Sequence, residues 1–171
     1  MPRSDSPVPP LTEDAGALRR ADAGDVPAIK TLLDGYAARG NLLPRSVAEI
    51  TRHLSEFLVW ERQGKVVACG ALEMLAPDLA EIRSLAVSAS CTRTGIGREI
   101  ALRLIERARE VGAARVMALT YVPKFFESLG FTRTDRNALP EKVWSVCVNC
   151  YKFAQCDEIA VLLPLPGHPT T

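Results

Sequence analysis

A chain of 171 residues, 47% apolar and 24% charged, is the size of one globular domain with its own core and has neither a fibrous nor a disordered composition. A net charge of +1 offers no basic excess for a nucleic-acid partner. No apolar run reaches the roughly 18 residues of a membrane-spanning helix, and the opening MPRSDSPVPPLTEDAG lacks the apolar centre of a secretory leader. The expectation is a cytoplasmic protein with small-molecule partners.

Residues 1–16 are rich in proline, show no apolar periodicity and read as a flexible tail; the folded domain is expected over 17–165, with a short tail at 166–171. A strand is expected over Leu18–Ala21. Asp25 reads as a helix N-cap with Pro27 in the first turn, and Ile29, Leu32, Leu33 and Tyr36 share the stripe of a helix ending near Gly40. Ser46-Val47-Ala48-Glu49 has capping-box spacing and opens a second helix reaching about Ser55. Phe57–Arg62 and Val66–Leu75, joined through Gln63-Gly64-Lys65, read as a hairpin, and Ala80–Val87 as a third strand beside it.

The loop carrying Gly95 and Gly97 leads into an amphipathic helix over Arg98–Val111, which Gly112 stops. Strand Ala114–Thr120, a helical turn Pro123–Leu129, strand Phe131–Arg133 and strand Glu158–Leu163 complete an α/β chain (α+β by some schemes) around a mixed sheet.

The segment from Leu85 to Arg98 is the most informative. A strand ends, two spaced glycines follow, and a long helix begins. Glycines allow an anion close approach to the backbone, free amides at the helix start point toward it, and the helix dipole favours negative charge there. Arg93 and Arg98 add positive charge. The alternative is a tight turn with no ligand. No Lys-Ser/Thr pair follows the glycines, so this is not a Walker A loop, and Ile100 stands where a dinucleotide fingerprint needs its third glycine.

Thr92-Arg93-Thr94-Gly95-Ile96-Gly97 resembles the acyl-CoA loop of the GNAT acetyltransferases, [Q/R]-x-x-G-x-[G/A], with Thr92 at the position usually held by Gln or Arg. Phe126-Glu127-Ser128-Leu129-Gly130-Phe131 resembles the family's Y-x-x-x-G-F segment, with Phe126 replacing the tyrosine that often protonates the departing thiolate. The resemblance spans roughly residues 18–165. It implies the GNAT fold, a mixed and mostly antiparallel sheet of six to seven strands flanked by helices, and acetyl-CoA as co-substrate. Its expected contacts are Leu85, Ala86 and Val87, the run Thr92, Arg93, Thr94, Gly95, Ile96, Gly97 and Arg98, and Phe126.

Glu81-Ile82-Arg83-Ser84-Leu85-Ala86-Val87, Leu119-Thr120, Phe125-Phe126 and Leu139-Pro140 narrow the resemblance to short bacterial N-acetylglutamate synthases. The implied reaction acetylates the α-amino group of glutamate at the start of arginine biosynthesis. The alternatives are another amino acid, a protein N-terminus, or a CoA-binding regulatory module without catalysis. A homodimer is compatible with the sequence.

Period-two alternation puts Glu81 and Arg83 on one strand face, together with Leu85 and Val87. An ammonium substrate must lose a proton before it attacks a thioester, which makes Glu81 the candidate base, and Arg83 can hold a carboxylate bidentately. The competing reading is a cross-strand ion pair on a solvated face. Lys124 is either a carboxylate contact or a solvated helix residue; Thr120 either bonds substrate or caps the next turn. A strand-end amide near Leu85 or Val87 is expected to stabilise the thioester oxygen as it gains charge.

Cys69 reads as a core thiol. Cys147, Cys150 and Cys156 form C-x2-C-x5-C without the second pair that zinc modules supply, so they read as packed thiols and no metal is expected.

Overall fold

The computed structural model describes residues 16–139 and 157–167. Strand β1 (Ala17–Arg20) leads through a 3-10 turn to helix α1 (Val26–Ala38). Helix α2 (Val47–Arg52), β2 (Phe57–Arg62), β3 (Lys65–Ala76), β4 (Leu79–Val87), α3 (Ile96–Glu110), β5 (Arg115–Thr120), α4 (Pro123–Glu127), β6 (Thr132–Thr134) and β7 (Ile159–Pro164) follow. The seven strands form one sheet in the order β1-β2-β3-β4-β5-β7-β6. β4 and β5 run parallel, while β1–β2, β2–β3, β3–β4, β5–β7 and β6–β7 are antiparallel.

The β2–β3 hairpin closes because Gln63 and Gly64 both take positive φ, 51° and 73°, the left-handed pair a two-residue turn between right-twisted strands requires. Alternation then sorts the strands into two cores. Val59, Cys69, Ala71 and Ala86 pack against Val26, Ile29 and Leu33 of α1 and Ile50 of α2. Leu58, Ala68, Leu72, Ala80 and Ile82 face Ile100, Leu104, Ile105 and Ala108 of α3 on the other side. α3 ends in a Schellman arrangement: Gly112 has φ 86°, and the Ala113 amide reaches back to the Ala108 carbonyl at 2.9 Å.

Gly70 lies under α3. A Cβ there would stand 2.8 Å from Ile100 Cγ2 and 3.1 Å from both Leu104 Cδ1 and Leu85 Cδ1. Gly70→Ala is therefore expected to destabilise by about 1–3 kcal/mol through overpacking. A lower urea midpoint with an unchanged slope would register that loss.

Three local expectations are corrected. Asp25 does not cap α1 with its side chain. A 3-10 turn (Ala23–Asp25) precedes the helix, so the Asp25 carboxylate points back, accepting from the Asp22 amide at 2.8 Å and from two Arg19 nitrogens at 2.7 and 2.9 Å. That hydrogen-bonded guanidinium holds the Asp25 carboxyl below the usual range. α2 stops at Arg52, and Leu54–Glu56 forms a separate 3-10 turn. α3 starts at Ile96, two residues before the expected Arg98, which puts Gly97 inside its first turn. A Cβ on Gly97 would lie 3.2 Å from Val87 Cγ2, so this glycine serves the close approach of α3 to β4.

Candidate active site

The site is built around a fork in the sheet. β4 and β5 pair over Leu79–Glu81 against Arg115–Met117. Beyond that the two strands have no ladder between them, although β4 runs on to Val87 and β5 remains paired to β7 through Thr120. Glu81 is thus the last β4 residue paired to β5. Past Val87 the chain makes a 3-10 turn (Ala89–Cys91) and enters the loop before α3.

That loop is folded by its own hydroxyls. Thr92 Oγ1 donates to the Ala89 carbonyl at 3.1 Å, and Thr94 Oγ1 donates to the Cys91 carbonyl. Arg93 has φ 62° and Gly95, at the N-cap of α3, has φ 86°. Thr92, Arg93, Thr94, Gly95 and Arg98 are exposed, whereas Ile96 is buried beneath them. A 15-residue helix begins here without a side-chain cap, so its leading amides remain available to an anion.

The strand-face expectation is corrected by a bulge. Ser84 takes φ 54°, and the β3–β4 register jumps from Ala71↔Arg83 to Cys69↔Ala86. One extra β4 residue stands opposite Gly70 and reverses the alternation. Leu85 and Val87 consequently pack on the α3 side, while Glu81 and Arg83 face the other way. Ser84 and Leu85 fall in the register gap, without Cα partners on β3.

Glu81 is buried, 3% exposed, and directly opposite Glu73 of β3. Arg83 sits diagonally between the two carboxylates: its Nη1 makes a close ion pair with Glu73, and its Nε lies 3.9 Å from Glu81 Oε2. Burial lowers the Arg83 pKa, but the Glu81 charge and the Glu73 hydrogen bond outweigh it and the net shift is upward. The cross-strand ion pair weighed from the sequence therefore exists, with Glu73 as the main partner, and the Glu81 end of the cluster is buried instead of solvated.

A second guanidinium, this one buried, lies close to the cluster. Arg45, in the segment before α2, is 7% exposed; its Nη1 donates to Ser84 Oγ at 3.0 Å and its Cζ lies 5.4 Å from the Phe57 ring centroid. Among the described residues it has no carboxylate within ion-pair distance. Burial, and next the nearby Arg83 charge, push its pKa down, against a partial offset from Glu73, Glu49 and Glu56.

The other expected residues are distributed as follows. Thr120 is buried at the end of β5 and its Oγ1 accepts from the Val122 amide at 2.9 Å, so it caps the following turn. Lys124 is exposed on α4. Phe126 is buried and edge-on to Phe125 and Phe131, with centroids 5.1 and 5.3 Å away. The Val87 amide is already committed, donating to the Tyr36 hydroxyl at 3.1 Å, and Tyr36 Oη in turn lies 3.0 Å from the Val87 carbonyl. Of the two expected oxyanion amides, Leu85 is the one left in the register gap. Cys69 is a core thiol, its pKa pushed up to about 12 by burial. Cys147, Cys150 and Cys156 lie outside the described residues. Among the described residues no three His, Cys, Asp or Glu side chains are grouped to hold a metal, and no helix is long and apolar enough to cross a membrane.

Arg45 and Glu73 carry no expectation from the sequence, and Tyr36 is expected there only on the apolar stripe of α1. Arg45 carries a signal after the fact, as a charge between Leu42-Leu43-Pro44 and a helix cap. Glu73 interrupts the apolar run of β3.

The family described as acetyltransferase (GNAT) matches residues 29–131. An amino-acid acetyltransferase from Mycobacterium tuberculosis is 40% identical over 137 residues, 78% of each chain. An uncharacterized N-acetyltransferase from Chlorobaculum tepidum is 37% identical, covering 86% of this chain and 96% of its own. Among solved structures, N-acetylglutamate synthase from Neisseria gonorrhoeae, complexed with coenzyme A and N-acetyl-glutamate, superposes with a TM-score of 0.80 at 30% identity, over 87% of this chain and 35% of the Neisseria chain. A Mycobacterium tuberculosis protein in complex with CoA gives 0.76 at 36% identity, over 87% and 99%.

Proposed function

We propose, for a chain that belongs to the acetyltransferase (GNAT) family, that the acceptor is the α-amino group of glutamate, acetylated in the cytoplasm as the first step of arginine biosynthesis. The observation that carries this reading is the gathering of a buried arginine, Arg45, and a half-buried one, Arg83, beside a buried carboxylate, Glu81, where the β4–β5 ladder ends. A dicarboxylic amino acid brings two carboxylates for the guanidinium groups and one amine for the base. Arg45 has the greater unused capacity, because Glu73 already holds one end of Arg83.

The exposed loop from Thr92 to Gly95 and the uncapped start of α3 fit a pyrophosphate, with Arg93 and Arg98 beside them. These residues would hold acetyl-CoA, which supplies the thioester. The unpaired stretch of β4 offers backbone groups to the arm that follows.

Glu81 takes the ammonium proton, directly or through a water. The neutral amine attacks the carbonyl carbon: a C–N bond forms, the C–S bond breaks, and the thiolate leaves. The Leu85 amide faces the oxygen that gains charge. Phe126 has no hydroxyl to offer, so the thiolate takes its proton from water.

The relation between Glu73 and Arg83 favours a second reading. If Glu73 keeps Arg83 throughout, a single arginine remains and the acceptor is an amino acid with one carboxylate. Thiol release from acetyl-CoA across an amino-acid panel decides. Glutamate is expected to give a kcat/KM at least tenfold above glutamine and the neutral amino acids, and glutamine at or above glutamate would transfer the assignment to the second reading.

A further inference from the structure

Away from the fork, a cavity of about 220 Å³ opens between the outer strand β1 and the flank of α3. Its lining is Leu18, Arg19, Arg20, Leu58, Arg103 and Arg107, four arginines among six residues and no acidic side chain. The four are not equally engaged. Arg19 is saturated by Asp25 and Glu61. Arg20 makes no side-chain hydrogen bond or ion pair among the described residues. Arg103 reaches Glu110 at 3.0 Å and Glu106 at 4.0 Å, both exposed pairs of the kind that contribute little. Arg107 donates Nη2 to the Ser55 carbonyl at 2.7 Å, while its Nη1 is buried without a partner. Glu56 also has an unpartnered buried oxygen but does not come within ion-pair distance of Arg107.

We propose that this cavity is an anion site, separate from the acetyl-transfer site, that takes a small phosphate-class oxyanion on Arg20, Arg103 and Arg107. Three guanidinium groups of like charge converge on a small space from two elements, and their mutual repulsion is relieved by a ligand of opposite charge. Burial, and after it the charges of Arg20 and Arg103, lower the pKa of Arg107, and the opposing charges of Glu56 and Glu110 do not cancel that shift. A carboxylate has two acceptor oxygens and satisfies one planar fork; a phosphate has enough oxygens and charge to engage three. The volume suits an anion of pyrophosphate size and is below the usual range for a drug-sized ligand. The site is also distinct in position: Arg107 lies ten residues along α3 from Gly97, about 15 Å at the helical rise.

The test is calorimetric titration of the full chain with pyrophosphate, inorganic phosphate and succinate in turn, CoA being present at saturation to block the Gly95 loop. Pyrophosphate is expected to bind at one site per chain. Arg20→Gln, on an exposed side chain, and Arg107→Lys, which retains charge but not the fork, should each weaken it at least tenfold. Arg20→Gln should leave acetyl transfer at its wild-type rate. Binding unaffected by both substitutions, an absence of saturable binding, or succinate binding as tightly as pyrophosphate would overturn the assignment. Because the readout is binding that depends on Arg20 and Arg107, it stands or falls independently of which amine is acetylated.

Discussion

Glu81→Gln is expected to lower kcat by roughly 10²–10⁴, the range for removing a general base, while both KM values move little. The substitution keeps the side chain's shape and a hydrogen-bonding oxygen, so the neighbouring Arg83 and the paired Glu73 retain their surroundings. What is lost is the ability to accept a proton. An effect confined to the transition state appears in kcat, because the ground-state complexes are equally stable. The pH profile separates this role from a merely structural one. As pH rises, more substrate arrives with its amine already neutral, so the variant should regain rate relative to wild type. A packing defect would leave the ratio constant with pH. A Glu81→Gln enzyme with near-normal kcat at neutral pH would assign the proton to water or to another residue.

The parts of this fold that were legible in the sequence are those in which one local signal sets the conformation. Gln63-Gly64 between two β-rich runs yields the hairpin, and Gly112 after an apolar stripe yields the end of α3. Two spaced glycines also mark the junction of a strand and a helix, where Gly95 supplies the left-handed turn and Gly97 serves packing against Val87.

What was not legible depended on long-range register. Nothing local at Ser84 distinguishes it from an ordinary strand residue. The bulge lies opposite Gly70, 14 positions earlier in sequence, where a side chain would meet Ile100, Leu104 and Leu85. Strict alternation therefore placed Leu85 and Val87 with Glu81 and Arg83, and the fold separates them. The same bulge brings the Ser84 hydroxyl to Arg45, 39 residues away, and the Tyr36 contact to Val87 spans 51. Asp25 illustrates the competition at short range: its carboxylate is claimed by Arg19 before it can cap α1.

Arg45→Met is expected to raise the glutamate KM about a hundredfold, roughly 2.8 kcal/mol at 1.4 kcal/mol per tenfold, and to leave the acetyl-CoA KM unchanged. Arg45 holds a buried charge whose nearest fixed contacts are a hydroxyl and an aromatic face, with no carboxylate within ion-pair distance among the described residues. Such a charge costs folding free energy, and under the proposed reading a substrate carboxylate would complete the missing pair. Methionine fills a similar volume and keeps contact with Phe57, so removing the charge should leave the thermal midpoint of the ligand-free protein unchanged or raise it. The two readouts are thus expected to move in opposite senses, with binding lost and stability kept or gained. A structural arginine would behave differently, because its loss would lower the midpoint and leave the amino-acid KM alone. An unchanged glutamate KM in a well-folded Arg45→Met enzyme would transfer carboxylate recognition to Arg83, and with it the question of how Glu73 releases that side chain.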